Sequence, residues 1–307
     1  MTIAKIETKN PDLGSRIINK ILSIEPIADF AKDRARNMMI KRAEKIGVPW
    51  RENVQKLQDR NWESEKNAIE NPQLQYPEYY LTSFHAYEEG NLSWKIAFET
   101  ESAAKAVHAK FWPELGAQGD DRLRQSYHEV LLEKLPIEPK NILDLGCSVG
   151  MSTFSLQQTY PRAKVTGVDL SPYCLAVARY NSRQNNSNIN WLHAVAEETG
   201  LADGSFDLVS ACLIFHEVPQ KPTKAIFSEA RRLLRSGGYF TIMDMNPNSA
   251  ILKKMPPYVF TLLKSTEPYL DDYFSLEIDR ALIEAGFESI EISYNSPRHR
   301  TIVARAS

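Results

Sequence analysis

The chain is poor in the features that mark several common protein classes. Its 307 residues include only three cysteines, Cys147, Cys174 and Cys212. Three cannot build the even-numbered disulfide framework of a small secreted domain, and their spacing lacks the paired pattern of a zinc site. No bound metal is expected, and a reducing compartment fits best. No run approaches the roughly twenty apolar residues of a membrane span, and the opening MTIAKIETKNPDLG lacks the apolar stretch of a signal peptide. These absences predict a soluble, cytoplasmic protein without a stable membrane anchor. Charge of one sign is also missing: 37 Lys and Arg against 39 Asp and Glu leave a net charge of -2, so no global field draws a polyanion and no nucleic acid partner is expected. Arg231, Arg232 and Arg235 form a local basic cluster that reads as a solvated helix face. Internal repeats and low-complexity tracts are absent.

What is present suits a sizeable core. Hydrophobic residues make up 43% and charged residues 25%, close to globular averages, and the length allows one large α/β domain with an added segment. Up to about Pro136 apolar residues recur at intervals of three and four, predicting helices near Ile27 to Ile46, Arg51 to Ile69, Ser93 to Phe111 and Asp120 to Leu135. Gly47 and Pro49 stop the first of these. Between the second and third lies NPQLQYPEYYLTSFHAYEEGN, where Pro72, Pro77 and Gly90 interrupt helical continuity and aromatic residues accumulate.

After Pro136 short apolar runs alternate with helical segments, the pattern of a parallel sheet. Strands are expected at Asn141 to Leu145, Lys164 to Asp169, Ile189 to His193, Phe206 to Cys212, Tyr239 to Met243, Ser289 to Tyr294 and Thr301 to Ala304. Helices are expected at Thr153 to Tyr160, Pro172 to Gln184, Pro222 to Leu234 and Leu276 to Ala285. Only SPRHR separates the last two strands, too little for a helical crossover, so they should pair antiparallel. The organisation expected is a helical cap or lid over residues 1–135, followed by an α/β domain over 136–307 with a cap insertion at about 246–274.

The stretch NILDLGCSVGMS, residues 141–152, runs an apolar strand into an acid, two glycines and a helix. Such a loop lets backbone approach a ligand at the carboxyl end of the first strand, where open α/β sheets place their sites. About nineteen residues beyond Gly150 the second strand ends in VTGVDLS, bringing the Asp169 carboxylate to the same edge, where it can accept from both hydroxyls of a ribose. The dinucleotide fingerprint starting at Gly146 fails at Ser148 and Met151, and the phosphate-binding loop fails at Met151. Gly146 and Gly150 therefore fit a ligand without a pyrophosphate, with Asp144 and Asp169 at the same edge.

DLGCSVG, then VDLS, DGSFDLVSACLIFHEVP, RRLLRSGGYFTIMD and ALIEAGF, resemble in order and interval the class I S-adenosylmethionine-dependent methyltransferases, especially the small-molecule group with ubiquinone-biosynthesis-like domains. The resemblance covers about residues 137–307. It implies a Rossmann-like seven-stranded sheet with an antiparallel last strand, S-adenosyl-L-methionine as cofactor and S-adenosyl-L-homocysteine as product. It also implies that Asp144, Gly146, Cys147, Ser148 and Gly150 surround the methionine part of the cofactor while Asp169, with Leu170 beside it, holds the ribose. Where many relatives carry Gly-Asp-Ala-Glu after the third strand, this chain has Ala194, Val195, Ala196 and Glu197. The Ala196 amide and the Glu197 carboxylate are the candidates left for the adenine. Many relatives also have glycine where Ser148 stands.

LIFHEVP puts His216 and Glu217 beside the expected position of the transferred methyl: His216 is a candidate base on the acceptor or else a hydrogen-bonded residue that shapes the pocket, and Glu217 is a candidate to orient it, to bind a substrate cation or to close a turn with Pro219. Tyr76, Tyr79, Tyr80, Phe84, His85, Tyr87 and Trp94 are candidates to line the acceptor pocket, although aromatic clusters also make ordinary core. Cys147 reads as a small packed residue rather than a reactive thiol. The expected partner is a small, partly apolar methyl acceptor, with O-methylation favoured by His216. A nicotinamide-dependent oxidoreductase and a non-catalytic cofactor-binding regulator remain as alternatives.

Overall fold

The structure, a computed structural model, describes residues 25–82, 87 and 89–307, with side chains from residue 33 onward. Its N-terminal layer contains α1 (Glu25–Lys45), α2 (Trp50–Gln58), α3 (Glu63–Asn67) and α4 (Trp94–His108), followed by α5 (Gly119–Lys134). The helix expected over Arg51 to Ile69 is in fact two. The Trp62 indole N–H donates to the Leu57 carbonyl at 2.6 Å, and the Asn61 side chain accepts the Glu63 amide at 3.1 Å, so local side-chain bonds replace the helical ladder between α2 and α3. Ser93 caps α4 by accepting the Ile96 amide.

The sheet follows as β1 (Asn141–Leu145), α6 (Met151–Thr159), β2 (Lys164–Asp169), α7 (Pro172–Gln184), β3 (Ile189–His193), β4 (Phe206–Cys212), α8 (Gln220–Leu233) and β5 (Leu234–Met245). Three short helices, α9 (Ala250–Lys253), α10 (Pro257–Thr266) and α11 (Leu270–Ser275), then lead through α12 (Ile278–Glu284) to β6 (Phe287–Ser293) and β7 (His299–Ala306). The seven strands lie in the order β3-β2-β1-β4-β5-β7-β6. β1 to β5 run parallel; β7 is antiparallel to β6, as the short SPRHR connection requires, and to β5 as well. This is the Rossmann-like sheet with a reversed last strand. β5 begins earlier than the apolar pattern suggested, because the polar Arg235-Ser236-Gly237-Gly238 run extends the strand to a pairing of Leu234 with Phe206.

Both faces of the sheet are covered, which is why its strands read as nearly continuous apolar runs. On one face Leu143, Val209, Phe240, Ile242 and Ile302 pack against Phe227 and Leu233 of α8 and Leu282 of α12. On the other, Ile142, Leu208 and Met243 meet Leu123, Tyr127 and Leu131 of α5, Leu156 of α6 and Leu175 of α7. The Tyr127 hydroxyl bridges Ser210 on β4 at 2.9 Å and Thr241 on β5 at 2.6 Å. α5 thus belongs to the sheet's own core layer, although it precedes the boundary expected at 135/136. The other N-terminal helices pack on its flank, with Phe98 and Ala97 of α4 against Cys174 and Val177 of α7.

Candidate active site

The parallel order brings the carboxyl ends of β1, β2, β4 and β5 to one edge, and the predicted acids sit there. Asp144 is wholly buried; its Oδ2 accepts from the hydroxyls of Ser152 at 2.6 Å and Thr153 at 2.7 Å, while its Oδ1 has no partner. Burial raises this carboxyl to about 6 against the pull of those two hydroxyls and the Arg124 guanidinium. The chain leaves β1 through Gly146 at φ +67, where a Cβ would stand 2.4 Å from Cγ2 of Ile214. Glycine is therefore needed at this turn. Ser148 also has a positive φ, 49°, which accounts for the glycine many relatives carry there.

Asp169 is fixed by two backbone donors: Oδ2 accepts from the Ser148 amide at 2.7 Å and Oδ1 from the Ser171 amide at 2.7 Å. Each oxygen keeps a second lone pair, so the carboxylate can still accept from two vicinal hydroxyls. Burial raises it to about 6 as well, opposed by the same two amides. Leu170 is buried beside it, and its carbonyl accepts from the His193 Nε2–H at 2.9 Å. Cys147 is buried, and burial with the neighbouring Asp169 and Asp144 holds its thiol well above the usual range, so it packs as a neutral group.

At the end of β4, Leu213 adopts φ +62 and turns the chain into a short 3-10 segment, Phe215–Glu217. His216 is buried there with Nδ1 2.7 Å from Oδ1 of Asp244, and its Nε2 lies 3.9 Å from Glu217 Oε1. Asp244, fully buried near the end of β5, also accepts the backbone amides of Phe215, His216 and Met245. Burial alone would lower the imidazole, but Asp244, with Glu267 and Glu217 behind it, outweighs that and raises His216 to about 9.

Described residues of the N-terminal segment make hydrogen bonds to this edge. The Tyr79 hydroxyl donates to Glu197 Oε1 at 2.8 Å, and the Ser171 hydroxyl donates to the Asn91 carbonyl at 2.7 Å. The Asn71 amide donates to Nδ1 of His193 at 2.8 Å. Tyr80 stacks on Tyr76 with ring centroids 6.3 Å apart, and its phenol is held well above its ordinary value by burial and by the charges of Asp169 and Glu217. Tyr80 thus faces both the acid at β2 and the acid beside His216. Ala196, partly buried, packs on the apolar core next to Glu197. Tyr87 and Trp94 are engaged elsewhere: the Tyr87 hydroxyl donates to Glu99 at 2.7 Å, and Trp94 packs against Phe98, Trp62 and Tyr173. Phe84 and His85 lie outside the described residues.

Three contributors were not among the sequence candidates. Asp244 ends an apolar strand in YFTIMDM, the same signal that flagged Asp144 and Asp169. His193 also ends a strand, but its role in anchoring Asn71 has no local signature. Arg124, on α5, reaches toward this edge, its Nη2 3.7 Å from the Met151 sulfur and its charge facing Asp144. Its carboxylate partner Asp120, 2.8 Å away, lies one helical turn earlier. Away from this edge, Glu99 is buried and paired with Arg36. Among the described residues no group of three or more His, Cys, Asp or Glu could hold a metal ion, and no helix is long and apolar enough to cross a membrane.

These features fit S-adenosyl-L-methionine. The unpartnered, buried Oδ1 of Asp144 suits an ammonium, Arg124 brings a positive charge for a carboxylate, and Asp169 keeps lone pairs for a ribose diol. Residues 142–238 match the methyltransferase domain family. An uncharacterised methyltransferase of Synechocystis sp. is 32% identical over 174 residues, 56% of this chain and 77% of that protein. A ubiquinone biosynthesis O-methyltransferase of Aromatoleum aromaticum is 31% identical over 164 residues, 51% of this chain and 68% of its own length. The fold is shared with a Haemonchus contortus phosphoethanolamine N-methyltransferase 2 solved with S-adenosyl-L-methionine, at TM-score 0.53 and 17% identity, covering 72% of this chain and 61% of that one. The oxidoreductase and non-catalytic alternatives fall away: the chain belongs to the class I S-adenosylmethionine-dependent methyltransferases.

Proposed function

We propose that this methyltransferase transfers its methyl group to a hydroxyl of a small, partly apolar acceptor, with His216 taking the hydroxyl proton. The observation that carries this reading is the buried His216–Asp244 pair, 2.7 Å apart, at the carboxyl ends of β4 and β5. S-adenosyl-L-methionine supplies an electrophilic methyl group, and what the chain must add is alignment, exclusion of water and removal of a proton from the attacking oxygen. In this reading Asp169 and Leu170 bind the ribose, and the loop from Asp144 through Gly146, Cys147 and Ser148 to Gly150 cradles the methionine part. Arg124 neutralises its carboxylate. Ala196 and Glu197 border the adenine, with Tyr79 fixing Glu197.

His216 acts through Nε2, because Nδ1–H is committed to Asp244. A base raised to about 9 is better matched to a phenol, ordinarily near 10, than to an aliphatic alcohol, whose proton is far harder to remove. Glu217 stands beside Nε2 and orients the ring or the acceptor. Tyr76 and Tyr80 form the apolar wall between cofactor and acceptor. The helical segment ahead of the sheet and the short helices over 246–274 act as cap and lid, a role supported by the hydrogen bonds from Tyr79 and to the Asn91 carbonyl. Three free, buried thiols support a reducing, cytoplasmic location.

The reading is tested by incubating the protein with methyl-labelled cofactor and a small-metabolite extract. A labelled aryl methyl ether is expected with the native protein and not with Asp169→Ala. Label on nitrogen or carbon would contradict the O-methylation assignment while leaving the methyltransferase in place.

A further inference from the structure

His193 ends β3 and joins two parts of the cofactor edge that are far apart in sequence. It is the register partner of Asp169 across the β2·β3 ladder, and its imidazole is buried. Nε2 lies 2.9 Å from the carbonyl of Leu170, the residue after the ribose acid. Nδ1 lies 2.8 Å from the backbone nitrogen of Asn71, 122 residues earlier in the chain. The Tyr76 hydroxyl stands 3.4 Å from Nε2, with the two rings 6.0 Å apart. From Asn71 the chain runs through Tyr76 to Tyr79, whose hydroxyl donates to Glu197, and to Tyr80, whose phenol faces the charge of Asp169.

These two partners leave the ring one protonation state. A carbonyl only accepts, so Nε2 carries the hydrogen; a backbone amide only donates, so Nδ1 keeps its lone pair. Imidazolium carries a hydrogen on both nitrogens, and the one on Nδ1 would point at the Asn71 N–H. The bond that fixes Asn71 therefore exists with the neutral ring alone. Glu70 and Lys66, paired with each other at 2.6 Å, face the ring from the α3 side, Tyr76 from the segment beyond Asn71, and Asp169 is its neighbour on β2. Burial holds the imidazole below its ordinary value of 6.5; the Leu170 carbonyl and Glu70 pull it up, and Lys66 pushes it further down. The fixed state is complete above that ordinary value and is lost as pH falls through the lowered one.

Resting on the assignment of this edge to S-adenosyl-L-methionine, we propose that His193 is a positioning residue that pins the segment from Asn71 to Tyr80 beside the adenosine half of the cofactor, and that gain of a proton on Nδ1 releases it. Once released, Tyr79 loses the fixed approach from which it holds Glu197, and Tyr80 loses its place near Asp169. In this role His193 acts through Asn71 rather than on the reacting atoms.

The test compares the native chain with two variants. His193→Asn sets an oxygen near the position of Nδ1, able to accept the Asn71 amide and unable to gain a proton; His193→Phe keeps a ring against Tyr76 and accepts nothing. Hydrogen exchange of the Asn71 amide in the cofactor-free proteins, read by mass spectrometry and corrected for the intrinsic effect of pH, reports the pin directly. In the native chain it is expected to be slow at about pH 7.5 and about ten-fold faster at about pH 5, the scale of one hydrogen bond. It should stay slow at both values in His193→Asn and be fast at both in His193→Phe. Asp169, Glu70 and Tyr76 are common to all three proteins, so their own titration cancels. Calorimetric titration at about pH 7.5 should then show S-adenosyl-L-homocysteine bound about ten-fold more weakly by His193→Phe and at native affinity by His193→Asn. Native exchange that does not respond to pH, the same response in His193→Asn, exchange as fast in His193→Asn as in His193→Phe, or cofactor affinity unchanged by His193→Phe would each overturn the proposal. Should His193→Phe fail to fold, the native chain and His193→Asn decide the matter between them. The titration of the native chain reads the cofactor edge separately: failure of that assignment shows as no binding, whatever the exchange pattern.

Discussion

His216→Ala is expected to slow single-turnover methyl transfer by about two to four powers of ten, the usual contribution of a positioned general base, while S-adenosyl-L-homocysteine binds as before. The loss should shrink for acceptors that ionise more readily, because they need the base less. The pH profile carries a second signature. With His216 raised to about 9, the neutral imidazole that accepts a proton grows roughly ten-fold per pH unit below that value, so the rate should climb between pH 7 and 9 and then level. Asp244→Asn removes the negative charge that outweighs burial, and should move this rise to lower pH. A rate independent of pH over that range, or an equal loss for acceptors of every acidity, would show that His216 shapes the pocket without moving a proton.

Removing the carboxylate of Asp120 should cost about 3–5 kcal/mol of stability, the range for breaking a buried ion pair and stranding its partner. Asp120 is almost wholly buried, 2.6 Å from Nδ1 of His108 and 2.8 Å from Nε of Arg124. Asp120→Ala leaves the Arg124 guanidinium on α5 without its carboxylate. Urea denaturation of the native chain and the variant reads the difference; a change within about 1 kcal/mol, the scale of an exposed pair, would mean that the charges are solvated. Burial pushes the Asp120 carboxyl up, but Arg124 and His108 outweigh it and hold it well below its ordinary value of 3.8. Its contribution is therefore complete above that ordinary value and is lost as pH falls through the depressed one. The acid limb of the native stability curve should flatten in Asp120→Ala.

The sheet was legible because its strands are short, apolar on both faces and punctuated by turn residues. Asn141–Leu145, Lys164–Asp169, Ile189–His193 and Phe206–Cys212 come out with the expected bounds. Periodicity fails where side chains override it: Trp62 and Asn61 divide one expected helix, and Arg235-Ser236-Gly237-Gly238 extends β5 through a polar stretch. The acids at strand ends were equally readable, since a carboxylate closing an apolar strand stands out in one dimension. Asp244 carries that signal too and gains its meaning only when the fold sets it against His216. Arg124 has no such signature. An arginine on a helix looks solvated until tertiary packing buries it, and Glu99, held by Arg36 and Tyr87, hides in the same way. Gly90 is needed where the chain passes close to the Thr82 carbonyl, 2.4 Å from where a Cβ would stand. Trp94, although aromatic, is consumed in packing against α7.

The central claim is that the edge formed by Asp144, Gly146 and Asp169 binds S-adenosyl-L-methionine, and calorimetric titration with S-adenosyl-L-homocysteine tests it most directly. The native chain should bind one equivalent and should not bind NAD. Asp169→Ala should bind the homocysteine product about ten- to a hundred-fold more weakly, the equivalent of losing hydrogen bonds to a charged acceptor. Affinity unchanged by Asp169→Ala, or a native chain that takes up NAD and ignores S-adenosyl-L-homocysteine, would contradict the assignment of this edge.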